Sequence, residues 1–269
     1  MPLDFSVIIP TYRRPEALRE AIASVLFQEG VTVEVIVIDD SPESSAQAVV
    51  DGFDDSRVTY MRMPVPTGGV PSAVRNMGWP LASGTFCHFL DDDDIVPAGH
   101  YHRMSFEFDA HPEVGVVFGI VEPFGADPQS VAHERAYFAE SARRARSSMH
   151  FGPRLAFSAH MFFGRTLIVC SNCIIRREHV AALNGFNVDV ELCEDVDFFA
   201  RAMRRYGARF VDYVTLRYRI GPSLMHSPRE NDGPITRTYL RMHQDYVSEH
   251  GRADFLVRKI LARTLLRFV

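Results

Sequence analysis

Three groups of carboxylates in the 269-residue chain sit where chemistry is done, at the ends of apolar segments. Asp91 to Asp94 follow the apolar run that ends at Leu90. Side chains two apart at a strand end point to one side, so Asp91 and Asp93 can act together. Hard oxygen donors of this kind suit Mg²⁺ or Mn²⁺, which are usually shared with substrate phosphates. Four adjacent negative charges also repel one another and call for a counter-ion; the plain alternative is a solvated acidic loop. An EF-hand is excluded, because the glycine at its sixth position and the glutamate at its twelfth are missing. Asp39-Asp40 end a second apolar run. They could accept hydrogen bonds from a base imide or a ribose hydroxyl, or cap a helix. The third group, Glu191 to Asp197 (ELCEDVD), opens a segment with Phe198, Phe199, Ala202 and Met203 at helical spacing. Glu194 and Asp195 are helix-capping residues or, equally, a general base for a hydroxyl nucleophile. Tyr12 could stack on a planar base or pack on a sheet, and Arg75 could reach a phosphate or pair with a surface acid.

The elements that would position these groups alternate regularly. Phe5 to Ile9 (FSVII) predicts a buried parallel strand, broken by Pro10-Thr11-Tyr12-Arg13-Arg14. Pro15 suits a first helical position, and Leu18, Ile22, Val25 and Leu26 follow at helical spacing. Val33 to Ile38 predicts a second strand, Ala46 to Phe53 a helix and Val58 to Met61 a strand. A loop at Thr67-Gly68-Gly69, a helix over Ser72 to Ala82 and a strand over Thr85 to Leu90 complete a doubly wound α/β unit. In such sheets ligands bind outside the carboxyl ends of the strands, where the acidic groups fall. From Val121 to about Phe163 the pattern loosens around an exposed helix with a basic face, ERAYFAESARRARSSM. Thr166 to Ile175 predicts a strand, Arg177 to Leu183 a helix, Asn184-Gly185-Phe186 a turn and Tyr213 to Tyr218 a last strand. The organisation expected is residues 1–120 as one half, 121–225 as the second half of the same domain, and 226–269 as a helical extension.

Composition limits the classes. Apolar residues make up 46% and charged residues 23%, as in ordinary globular proteins. Lys+Arg 29 against Asp+Glu 34 gives a net charge of −5, which is no nucleic-acid footprint. No apolar run approaches the roughly 18 residues of a membrane span, and the N-terminus lacks a signal-peptide pattern, so a cytoplasmic protein is expected. Cys170 and Cys173 form a single C-x-x-C, with Cys87 and Cys193 apart, and structural thiols are expected rather than zinc ligands. Residues 252–269 interleave five basic residues with Phe255, Leu256, Ile260, Leu261, Leu265 and Phe268. Such a helix can lie on an anionic membrane surface, or pack on its own domain or on a second subunit of a homodimer.

Taken together, the segments SVIIPTYRRPEAL, EVIVIDDSP, GGVPSAVRNMGWPLASGTFCHFLDDDDIVP, SNCIIRREHVAALNGFN and CEDVDFFARAMRRYG resemble the inverting family 2 glycosyltransferases. The resemblance covers residues 5 to about 207 and implies a GT-A fold, a Rossmann-like, mostly parallel central sheet flanked by helices with an acceptor-side subregion. It implies that residues 1–120 are the nucleotide-sugar-binding half and 121–225 the acceptor-binding and catalytic half, with acceptor contacts expected from Val121 to Phe163. It implies that Pro10, Thr11, Tyr12 and Asp39-Asp40 bind the nucleotide base and ribose, with Arg75 near the base and phosphates. Asp91-x-Asp93 corresponds to the D-x-D motif, with Asp93 foremost for the metal, Asp91 for metal and sugar, and Asp92 near the ribose. Asp195, beside Glu194, corresponds to the catalytic base, and His226 is placed near the diphosphate or metal. The chain departs from the pattern with Asp92 in place of a small residue, with Pro80 after Arg75-Asn76, and with Asn184-Gly185-Phe186 in place of G-G-F. The processive Q-x-x-R-W motif is missing, the one tryptophan being Trp79. The activity expected is therefore non-processive, metal-dependent (Mn²⁺ or Mg²⁺) transfer from a nucleotide sugar, a UDP-sugar favoured, to a saccharide, lipid-linked or small-molecule hydroxyl. A non-catalytic nucleotide-sugar-binding or scaffold protein on the same fold is the alternative. A sugar-1-phosphate nucleotidyltransferase or a Rossmann dehydrogenase would need glycines after the first strand, where Pro10 to Pro15 has none.

Overall fold

The computed structural model describes residues 3–163, 166–190, 192–221 and 228–265. In chain order the elements are β1 (Phe5–Thr11), α1 (Pro15–Leu26), β2 (Val33–Asp39), α2 (Gln47–Asp51), β3 (Val58–Arg62), α3 (Pro71–Gly78), β4 (Phe86–Phe89), α4 (His100–Ala110), β5 (Val116–Gly125), α5 (Pro128–Ser148), α6 (Leu155–Phe163), β6 (Cys173–Arg176), α7 (Arg177–Ala182), α8 (Glu194–Tyr206), β7 (Ala208–Ile220) and α9 (Pro228–Leu265). One seven-stranded sheet runs β3-β2-β1-β4-β6-β5-β7. β1 to β4 are parallel, β6 is antiparallel to both β4 and β5, and β7 is parallel to β5.

The apolar runs of β1 and β2 bury both faces, and the period of two divides them between two cores. Ile8, Ile36 and Ile38 face a layer that includes Val74, Met161, Phe198 and Met203. Val7, Ile9, Val35 and Val37 face the opposite layer with Leu18, Ile22, Met104 and Phe108. A parallel strand pair needs a covering crossover, and both faces are covered here.

The middle of the chain is more regular than its pattern suggests. Asp127 caps α5 by accepting hydrogen bonds from the amides of Gln129 and Ser130. The buried side of α5 is Phe138, Ser141, Ala142, Arg144, Ala145 and Ser148, so the helix is not merely an exposed one. Small residues make that stripe, and they give little hydrophobic contrast for a periodicity to reveal. Three other boundaries move. The expected strand over Thr166 to Ile175 shrinks to β6, because a 3₁₀ turn at Cys170–Asn172 precedes it. There the Asn172 amide accepts from the Val169 N–H at 3.1 Å and donates to the Gly119 carbonyl at 3.0 Å, replacing ladder bonds. The helix expected to Ala82 ends at Gly78, since Pro80 has no N–H to continue it. The last strand lengthens to Ala208–Ile220 and pairs with β5 through register shifts at Gly119, Ile120 and Val121. A Cβ on Gly119 would stand 2.4 Å from Thr215 Cγ2, so only glycine fits that bulge.

Candidate functional site

The carboxyl ends of β1, β2 and β4 meet at one rim. Adjacent parallel pairing sets Thr11 beside Asp39, while the Leu90 N–H bonds the Ile8 carbonyl at 3.0 Å. The Asp91–Asp94 run is then clamped at both ends. The Asp91 N–H donates to Ser171 Oγ at 3.0 Å, and Ile95 exchanges backbone hydrogen bonds with Arg217 of β7. Asp92 turns inward, accepting from Thr11 Oγ1 at 2.7 Å, and burial pushes its carboxyl up to about 6. Asp94 is fully buried: one oxygen accepts from the Arg219 N–H at 3.0 Å, and Oδ2 has no partner. Burial, with Asp91 and Asp93 nearby, holds it well above the usual carboxylate range. Asp91 and Asp93 keep part of their surface exposed. Asp93 accepts from Arg14 Nη1 at 2.7 Å, and burial and the charge of Asp91 push its carboxyl up.

Arg75, in α3, is 3% exposed and joins this run to the start of α8. Its guanidinium donates to Asp91 Oδ1 at 2.7 Å and to Glu194 Oε1 at 2.5 Å, and lies over the Phe186 ring. Asn76 fixes that ring by exchanging two hydrogen bonds with the Phe186 backbone, 2.7 and 2.8 Å long. A Cβ on Gly185 would fall 2.3 Å from Asn76 Oδ1, and its φ of 68° is left-handed, so the turn requires glycine twice over.

α8 begins after Cys193, whose φ of 61° is uncommon for a residue with a side chain. No side-chain cap closes this helix at Cys193. Glu194 is spent on Arg75, while Asp195 accepts from the Val196 N–H at 2.8 Å. Burial and the charge of Glu194 push the Asp195 carboxyl up to about 7. A carboxyl near neutral pKa in this position can hold or release a proton. The loop before α8 is latched to α9, through Thr238 Oγ1 to the Leu192 carbonyl at 2.6 Å and Arg241 to Asp189 at 2.8 Å. Burial and the nearness of Cys193 and Asp195 push Tyr239, also on α9, above its ordinary range.

The Asp39-Asp40 pair divides. Asp39 is fully buried and accepts from the N–H groups of Ser41 and Ala46 and from Tyr60 Oη, at 2.8 to 3.1 Å. These bonds make Asp39 a brace of the β2–β3 connection. Asp40 accepts from Thr67 N, Thr67 Oγ1 and Gly69 N at 2.6 to 2.7 Å, which holds that loop beside the half-buried Tyr12 ring. Pro10 stays in the β1 ladder opposite Ile38. Arg75 was expected near base and phosphates; its hydrogen-bond partners here are Asp91 and Glu194. His226 lies outside the described residues. Sequence reasoning missed Arg14, Thr67, Gly69, Ser171, Arg219 and Tyr239. Arg14 and the Gly-rich loop lie in segments already singled out, whereas nothing local marks Arg219 or Tyr239.

Among the described residues no group of three or more His, Cys, Asp or Glu is arranged to hold a cation. Cys87, Cys170 and Cys173 are buried free thiols, and burial raises each.

Residues 6–182 match the sequence model of Glycosyl transferase family 2. The chain belongs to that family. The family 2 chain is 38% identical over 96 residues to the GalNAc(5)-diNAcBac-PP-undecaprenol beta-1,3-glucosyltransferase of Campylobacter jejuni, covering 35% of this chain and 31% of that protein. It is 36% identical over 107 residues to the succinoglycan biosynthesis protein ExoO of Rhizobium meliloti, and that match covers 40% of this chain and 30% of ExoO. The chain thus spans about a third of the length of these two curated relatives. Its fold is similar to that of S. aureus TarS 1-349 in complex with UDP, with a TM-score of 0.61 and 19% identity over 90% of this chain and 65% of that one. The fold is that of the GT-A glycosyltransferases.

Proposed function

We propose that the protein is an inverting glycosyltransferase that moves one sugar from a nucleoside diphosphate sugar, a UDP-sugar favoured, to an acceptor hydroxyl with the help of Mn²⁺ or Mg²⁺. The observation that carries this reading is the tie through Arg75 between the strand-end carboxylate Asp91 and the Glu194-Asp195 start of α8. The tie sets a donor-side acidic cluster and a candidate base on one rim.

The donor set fits a divalent cation. Asp91 and Asp93 are hard oxygen donors, each accepting from an arginine through one oxygen. Mg²⁺ and Mn²⁺ are commonly held by one or two carboxylates with substrate phosphates completing the shell, so a protein cage of three ligands is not required. Support comes from the related fold of the mannosyltransferase PcManGT from Pyrobaculum calidifontis in complex with GDP-Man and Mn²⁺ (TM-score 0.59, 17% identity, 97% of this chain and 76% of that one). His226 completes the proposed metal set. When bound, the cation would offset charge growing on the departing diphosphate.

Tyr12, Asp40 and the Thr67–Gly69 loop would cradle the base and ribose, and Thr11 with Asp92 would shape the wall beneath them. Asp195 takes the proton from the acceptor hydroxyl. The freed oxygen bonds to the anomeric carbon as the carbon–oxygen bond to the diphosphate breaks, on the opposite face, so the configuration inverts in one step. Glu194, held in place by Arg75, keeps Asp195 poised near neutrality through its own charge rather than sharing its role. The location proposed with this activity is the cytoplasm, in keeping with four free cysteines.

The test is incubation with a panel of UDP-, GDP- and dTDP-sugars and hydroxyl acceptors, with Mn²⁺ or with EDTA. Proton NMR of the product reads the anomeric configuration. Metal-dependent release of a nucleoside diphosphate with inversion is expected. Retention of configuration, or no nucleotide sugar bound or turned over, overturns the reading.

A further inference from the structure

The last helical segment presents a surface the transfer reaction does not use. α9 is broken at Gly251, where φ is 82° and ψ 159°, and the chain after it folds back on the body. Phe255 is the anchor, its ring 5.2 Å from both Phe163 and His243. Ala262 is buried on the same side. With Phe255 and Ala262 inward, helical geometry turns Leu256, Val257 and Ile260 outward, and they are 55%, 55% and 61% exposed. Arg252 and Arg263 are exposed on the flank of that apolar strip, at 100° per residue from Leu256. Asp254, the one acid between residues 252 and 265, points away: it accepts from Arg258 Nε at 3.0 Å and from Tyr246 Oη.

We infer that this outward face of residues 252–263 docks on an anionic lipid surface. Aliphatic side chains flanked by arginine, with the acid sequestered behind, match the requirements of a helix lying in a bilayer interface. A second copy of the chain fits the face less well. A two-fold contact would bring the same patch against itself, cation toward cation, with no acid to pair. Three aliphatic side chains also offer roughly 300 Å², well short of the about 800 Å² per partner that a stable interface buries. The inference does not depend on glycosyl transfer, so it stands or falls apart from the proposed activity.

The experiment uses the full chain and sedimentation with vesicles of phosphatidylcholine alone or with 30 mol% phosphatidylglycerol. Partitioning onto the anionic vesicles is expected, and little onto the neutral ones. Each arginine near an anionic surface contributes about fivefold, so Arg252→Gln with Arg263→Gln should weaken partitioning roughly 25-fold. Leu256→Ser with Val257→Ser and Ile260→Ser should abolish it with melting temperature unchanged, since these side chains are exposed. Equal binding to both vesicle types, no effect of either variant, or a concentration-dependent dimer that the serine variant splits would each overturn the inference.

Discussion

Two acidic strand ends, separated in the sheet by β1, have been put to different uses. At the end of β2, Asp39 and Asp40 accept from backbone N–H groups, a tyrosine and a threonine, and both are buried. At the end of β4, Asp91 and Asp93 accept from the guanidinium groups of Arg75 and Arg14 and remain partly open. A backbone amide cannot leave without unfolding its loop. An arginine, by contrast, is a counter-ion at the end of a flexible stem and can yield to a stronger one. The partner, more than the residue type, separates a brace from a ligand.

The largest effect expected is at the far end of the Arg75 bridge. Asp195→Asn should lower turnover by about 10²- to 10⁴-fold, the usual contribution of a general base. Donor affinity should stay within a few-fold, and Glu194→Gln should be milder. Steady-state kinetics with a working donor and acceptor decide this; near wild-type turnover in Asp195→Asn would remove the base assignment. The same kinetics against pH sharpen it. A base must be ionised, and burial puts the Asp195 carboxyl at about 7. Hence kcat/KM should fall about tenfold per unit as pH drops below that value and level off above it.

Next in size is the exchangeable pair. Asp93→Ala should abolish the Mn²⁺-dependent part of UDP binding in titration calorimetry while leaving the fold intact. Equal UDP affinity with Mn²⁺ in both proteins would break the contrast between the two strand ends. Asp39→Ala should show the opposite signature. Two backbone amides and a tyrosine lose a buried acceptor, a cost of at least about 2 kcal/mol, so the melting temperature should drop by about 4–8 °C. A variant that melts like wild type yet loses UDP binding would return Asp39 to the nucleotide site. Arg14→Ala should matter least for stability, its half-exposed ion pair being worth about 0–1 kcal/mol. Calorimetry should find Mn²⁺ affinity unchanged or higher, because a competing cation has gone. A large loss instead would make Arg14 a ligand of the diphosphate.

Much of this was legible in the chain before any coordinates. FSVII and VEVIVI, buried on both faces, could only be interior strands, and Pro and Asp had to end them. The acidic groups followed from those ends, because hydrogen-bond registry brings the last residues of parallel neighbours to one edge. The doubly wound order and the position of Glu194-Asp195 at a helix start were within reach of pattern alone.

What only the tertiary structure decided is which partner each charged group has. Asp39 and Asp40 are identical as sequence, but the two sides of a strand face different neighbours, and one carboxylate met the Ser41–Ala46 turn while the other met Thr67–Gly69. Arg75 reaches Glu194 across 119 positions, and Arg219 reaches Asp93 and Asp94 across 126 and 125. No local propensity encodes such distances. Local periodicity can place a carboxylate at the end of a strand; whether it holds a loop, an arginine or a cation depends on what the rest of the fold packs against it.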